Sequence, residues 1–108
     1  MPYNASLSKR IESIIKGKKS FIRKEMFGGV GFMLNGNMCV GVHKDDLIIR
    51  FDPRSTEEIM VKKGAKPFDI TGRPMKGWLL VEPEGTKGTQ LNDWVDLALR
   101  FVKTLPKK

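Results

Sequence analysis

The sequence predicts an α+β domain with helices on one face of an antiparallel-rich sheet, in the order helix, strands, helix, strands, helix. Three observations carry this expectation. Residues 4–17 and 89–105 show the apolar spacing of amphipathic helices. Residues 29–51 alternate with the two-residue period of strands. The turns that break this alternation are too short for crossovers, so the strands they join run antiparallel.

The first helix places Leu7, Ile11, Ile14 and Ile15 on one face. Asn4 or Ser6 is placed to cap it, and Gly17 suits the residue just past its end. Phe21 to Met26 alternates poorly and carries charge on both faces, which suits an edge strand. Val30, Phe32 and Leu34 then lead to Asn35-Gly36, a strong hairpin signal because both residues tolerate positive φ. A two-residue loop there pairs Leu34 with Asn37, Met33 with Met38 and Phe32 with Cys39. A second such loop at 44–45 pairs Val42 with Leu47 and Val40 with Ile49. A three-residue loop at 44–46 is the alternative, and it reverses the faces of the last strand.

With two-residue loops, one face holds Gly29, Gly31, Met33, Met38, Val40, Val42, Leu47, Ile49 and Phe51, and is expected to meet the helices. The other holds Val30, Phe32, Leu34, Cys39, His43, Ile48 and Arg50. A solvated face should be polar, and this one is only half polar, so a cover is expected. A symmetric partner seated on Val30, Phe32, Leu34, Cys39 and Ile48 would supply it.

Beyond Asp52-Pro53, Ser55 and Glu58 have capping-box spacing and open a short helix from about 56 to 63. Pro67 to Ile70 reads as a short extended piece, and Thr71-Gly72-Arg73-Pro74 as a turn. Trp78 to Val81 is apolar on both faces, as in a buried strand. In the last helix Leu91, Trp94, Val95, Ala98, Val102 and Leu105 form the apolar stripe, and Pro106 ends it.

At 108 residues the chain is expected to be one domain, 1–108, large enough to bury a core without metal or disulfides. The single cysteine, Cys39, cannot form an intramolecular disulfide. No signal-like or membrane-spanning apolar run is present, so a cytoplasmic protein without membrane contact is expected. Twenty Lys and Arg face twelve Asp and Glu, a net charge of +8. The excess is uneven: residues 1–24 carry seven basic side chains and one acidic one. Lys9, Lys16, Lys18, Lys19, Arg23 and Lys24 are therefore a candidate phosphate-contacting patch. A solvated basic surface is the simpler reading, and exposed aromatics for base stacking are not evident.

Motifs for chemistry are weak. In Gly29-Val30-Gly31, Leu34 stands where a dinucleotide fingerprint needs its third glycine, and a hairpin follows instead of a helix. Cys39 and His43 are four residues apart on a strand, roughly 13 Å, too far for a nucleophile and its base. Cys39 is expected to be buried and inert, and His43 to be an exposed loop residue. The carboxylates show no catalytic pairing or calcium-loop spacing. No catalytic, metal or cofactor residues are assigned, and a non-enzymatic role is expected. Gly28, Gly29, Arg50, Arg73 and Lys76 are the candidate lining of a small-ligand pocket.

Several segments together resemble one family. Met26 to Met38, reading Met-Phe-Gly-Gly-Val-Gly-Phe-Met-Leu-Asn-Gly-Asn-Met, is similar to the signature of the TfoX (Sxy) N-terminal domain. Asp69 to Trp78 is similar to its second signature, and Trp94 to Ala98 with Leu105-Pro106 to its closing helix. The resemblance extends from about Tyr3 to Lys107. It implies an α+β fold similar to that of secretion chaperones. It also implies kinship with two-domain regulators of natural competence, which act with a cyclic-AMP receptor protein at promoters. The second, helical domain of those members is expected to be lacking here, and the resemblance supplies no catalytic residues. The leading expectation is a non-enzymatic regulatory or protein-interaction domain, homodimeric, with a protein partner in transcription regulation. The alternatives are a nucleic-acid-binding accessory protein and a small-ligand binder or enzyme.

Overall fold

The computed structural model describes residues 3–15, 21–26, 29–34, 36–62, 64–68 and 77–106. Helix α1 (Ala5–Ile15) is followed by strands β1 (Phe21–Met26), β2 (Gly29–Leu34), β3 (Asn37–His43) and β4 (Asp46–Arg50). Helix α2 (Thr56–Met60), strands β5 (Ala65–Pro67) and β6 (Trp78–Val81) and helix α3 (Gln90–Val102) complete the chain. One six-stranded antiparallel sheet has the order β1-β2-β3-β4-β6-β5.

Each helix follows from its apolar stripe. α1 buries Leu7, Ile11 and Ile15, and α3 buries Leu91, Trp94, Val95, Ala98 and Val102. Asn4 caps α1: its Oδ1 accepts the Leu7 amide at 3.0 Å. The expected capping box at Ser55 does not form, since Ser55 makes no side-chain cap bond. Asp52 starts this segment instead, its carboxylate accepting the Arg54 amide at 3.0 Å in an Asx turn. α2 also ends at Met60 rather than near 63, and α3 at Val102 rather than near 105. Gly17, Asn35 and the turn Thr71–Pro74 lie outside the described residues.

Both hairpin ends pair as expected, Leu34 with Asn37 and His43 with Asp46. Gly36 takes the positive φ, +83°, that the first turn requires. Between those ends the register departs from expectation. Met33 pairs with Met38 as expected, but Phe32 pairs with Val40 instead of Cys39, so Cys39 is an extra, unpaired residue in β3. This bulge reverses β2 relative to β3 and β4. Val30, Phe32 and Leu34 join Val40, Val42, Leu47, Ile49, Leu79 and Val81 in the core under the helices. Met33 and Met38 go to the other face, in a second cluster with Ile48, Phe68, Leu80 and Trp78.

The expected dimer face is thereby corrected. Val30, Phe32, Leu34 and Cys39 are core residues, each at most 2% exposed. Ile48 does lie on the second face, but its own chain covers it. Phe68, just past β5, is buried there with Ile48 and Leu80, its ring 5.7 Å from that of Trp78. The cover that the half-apolar face calls for is intramolecular over this region.

The bulge generates a contrast between two strands. Phe32→Ala should lower stability by about 3–5 kcal/mol, the cost of a large core cavity. Ile22→Ala on β1 should change it by less than about 0.5 kcal/mol. Urea unfolding of both variants measures this, and equal losses would contradict the register.

Candidate functional site

β1 lies at one edge of the sheet, and among the described residues no strand pairs with its outer side. Its inner register sets Arg23 opposite Phe32 and Glu25 opposite Val30, on the helix side. Ile22 faces Met33 and Lys24 faces Gly31, on the other side. Ile22 is 65% exposed, an unusual place for a large aliphatic side chain on a strand edge. The row Ile22, Met33, Met38 runs across three strands from exposed to half-buried to buried. The apolar second face therefore opens to solvent at β1.

Arg23 is committed within the chain. It donates to the Tyr3 hydroxyl, lies 5.9 Å from the centre of that ring, and pairs with Glu25 at 3.7 Å. Tyr3 in turn donates to Glu25 Oε1 at 3.4 Å. The Tyr3 ring is buried against the core, so it fixes the guanidinium at the strand edge. Lys24 is exposed and has no ion-pair partner among the described residues.

The candidate basic patch is thus only partly gathered. Lys9 is exposed on α1, while Arg23 and Lys24 point to opposite sides of β1. Lys16, Lys18 and Lys19 lie outside the described residues. Arg10, not singled out from sequence, donates to the Thr86 and Gly88 carbonyls at 2.6 and 3.3 Å. It ties α1 to the loop before α3, a task its spacing in the helix does not reveal.

The candidate pocket residues are not assembled either. Gly28, Arg73 and Lys76 lie outside the described residues. Gly29 has a packing role: a Cβ there would sit 2.1 Å from the Val42 carbonyl oxygen. The close neighbour is a strand, rather than the helix its glycines suggest. Arg50 lies over two rings, 5.2 Å from the centre of Trp78 and 6.0 Å from that of Phe101. An open cleft of about 460 Å³ lies elsewhere, against α3, lined in part by Lys62, Asp93, Trp94, Asp96 and Arg100. Two cations and two carboxylates there give no preference for one sign of ligand.

Cys39 is fully buried, and loss of solvation pushes its thiol up to about 12. It is not a nucleophile at neutral pH. His43 is partly buried at the end of β3 rather than exposed in a loop, and its Nδ1 has no hydrogen-bond partner among the described residues. Across the hairpin it faces Asp46, which Lys66 engages at 2.9 Å. Among the described residues no helix is long and apolar enough to cross a membrane.

The model of the TfoX N-terminal domain family matches residues 16–102. The chain belongs to the TfoX N-terminal domain family. The match covers all six strands, α2 and α3, while α1 and the Tyr3 anchor precede it. It is narrower than the resemblance from Tyr3 to Lys107 read from the motifs. No curated protein and no solved structure matches this TfoX N-terminal domain.

Burial of Cys39 gives a test of the TfoX core. Iodoacetamide should leave the native thiol unmodified at neutral pH and label it fully in denaturant. Burial pushes the thiol up to about 12, against 9.0 for a solvated cysteine. Stability from this group is therefore complete below about pH 9 and is lost as pH rises towards 12, by up to about 1.4 kcal/mol per pH unit. Denaturant melts of wild type and Cys39→Ala across this range should show the excess slope in wild type alone.

Proposed function

We propose that this TfoX N-terminal domain is a non-enzymatic regulatory module that acts by binding another protein along β1. Family membership supports the regulatory, competence-related class. The observation that carries the mode of action is the six-residue edge of β1, unpaired on its outer side among the described residues, with Ile22 exposed on it. An unpaired edge offers a row of backbone donors and acceptors to an incoming strand. Helices on one face of an antiparallel sheet are in keeping with the secretion-chaperone-like fold the family resemblance implies. The setting we propose is cytoplasmic, where the partner would belong to the transcription machinery.

A photo-crosslinking amino acid at position 22, introduced in the native host, tests this. A discrete protein adduct is expected at position 22 and none at exposed position 57 on α2. Glu25→Pro, which removes a backbone donor that alternation along β1 turns away from β2, should abolish the adduct. Absence of an adduct at 22, or equal adducts at both positions, would overturn the reading.

A second reading rests on the basic bias of residues 1–24, with Lys9 and Lys24 exposed. If these residues bind duplex DNA through about four phosphates, affinity should fall roughly 10²-fold between about 50 and about 200 mM salt. Fluorescence anisotropy with a labelled duplex measures it. No binding at the lower salt would end this reading.

A further inference from the structure

We infer that the partner strand for β1 is an extended acidic segment of another protein, rather than β1 of a second copy. This inference rests on β1 being the interaction strand, and it names the chemistry that strand selects. The two edges of the sheet are built differently. β5 is three residues long, contains Pro67, and has Lys66 held by Asp46 at 2.9 Å and Glu82 at 3.9 Å. It is short and carries a proline, two devices that keep an edge from pairing. β1 is twice as long and has no proline.

Charge then separates the occupants. Three antiparallel registers pair at least five residues of β1 with the same strand of a second copy. They place Arg23 against Arg23, Arg23 against Lys24, or Lys24 against Lys24. Like charges directly opposite destabilise a strand pair. The last of these registers also sets Arg23 against Glu25 twice, but Arg23 already has Glu25 as its ion-pair partner within its own chain, so the contact between the two Lys24 side chains is left uncompensated. Self-pairing is thus disfavoured in all three. Arg23 is already matched by Tyr3 and Glu25, whereas Lys24 has no acidic partner among the described residues.

Ile22 and Lys24 stand two apart on one side of the strand. A strand laid beside them is complementary when an apolar and an acidic side chain are also two apart on that side. Its apolar residue extends the row Ile22, Met33, Met38, and its carboxylate meets Lys24. The partner is thus recognised by its backbone along the edge and by an apolar–acidic pair on one face.

The probe is a labelled peptide of about ten residues in which Val and Glu alternate on one face and Thr fills the other. Its controls are the same peptide with Lys for Glu, a version with a central Pro, and a duplex DNA. The Glu peptide should bind about ten-fold or more tighter than the Lys peptide and slow amide exchange in Phe21–Met26 by a similar factor. Lys24→Glu, at an exposed position, should reverse the preference between the two peptides while leaving the thermal melt unchanged. Equal binding of the Glu and Lys peptides, unchanged exchange in β1, or binding of DNA but not the Glu peptide would each overturn the inference. So would dimerisation of the free chain through β1, seen as concentration-dependent protection of the same amides. Peptide binding without a crosslink at position 22 would leave the strand chemistry standing and remove the cellular role. A crosslink without charge preference would do the reverse.

Discussion

Because β3 carries one residue more than β2 between two adjacent cross-strand pairs, Cys39 has no partner and the two strands change phase there. Everything that meets the helices follows from this bulge. It turns Phe32, Val30 and Leu34 inward beside Val40 and Val42, so that β2, β3, β4 and β6 present one continuous apolar surface to α1 and α3. Without the shift, β2 would offer two glycines and Met33 to the helices and expose Phe32. Burial of side chains of this size contributes roughly 1.5–3 kcal/mol each, so the bulged register is strongly favoured over the unbulged one. It also places Cys39 at zero exposure, which is why its thiol resists ionisation.

The helices, the hairpins and the edge position of β1 were legible because each rests on a local signal. Period 3.6, an Asn-Gly turn and poor alternation in a charged hexamer are properties of short windows. The bulge is not such a property. Met38, Val40 and Val42 alternate whether or not Cys39 is paired, and no glycine marks the extra residue. Only the requirement that Phe32 and Val40 share a face decides it, and that requirement is tertiary. The dimer face failed for this one reason: four of its five residues belong to or follow from the register of β2 against β3. The role of Arg10 was hidden in the same way, since its carbonyl partners lie more than seventy residues away.

The second face shows how one chain can satisfy most of an apolar surface and leave a margin. Phe68 seals Ile48, Leu80 and Met38 in a small cluster, with Trp78 tilted against it. Arg50, lying over the Trp78 and Phe101 rings, spends its cation on aromatic faces rather than on a carboxylate. On the β1 side this cover gives out. Met33 is half-buried and Ile22 mostly exposed, so apolar surface coincides with a backbone edge that no described strand pairs.

Part of the formal charge of the chain is engaged within it. Arg10 is bound to backbone carbonyls, Arg23 to Tyr3 and Glu25, Arg54 to Asp52, and Lys66 to Asp46 and Glu82. Of the candidate patch, Lys9 and Lys24 are exposed on different elements, and Arg23 and Lys24 point to opposite sides of the edge. Affinity for a phosphate backbone grows with the number of contacts made together, so division of the cations between faces weakens it. Strand addition needs no such array. It draws on the main chain for affinity and on one or two side chains for choice of partner. An edge with one exposed aliphatic residue and, two positions away, a lysine without an ion-pair partner among the described residues fits strand addition better than phosphate binding.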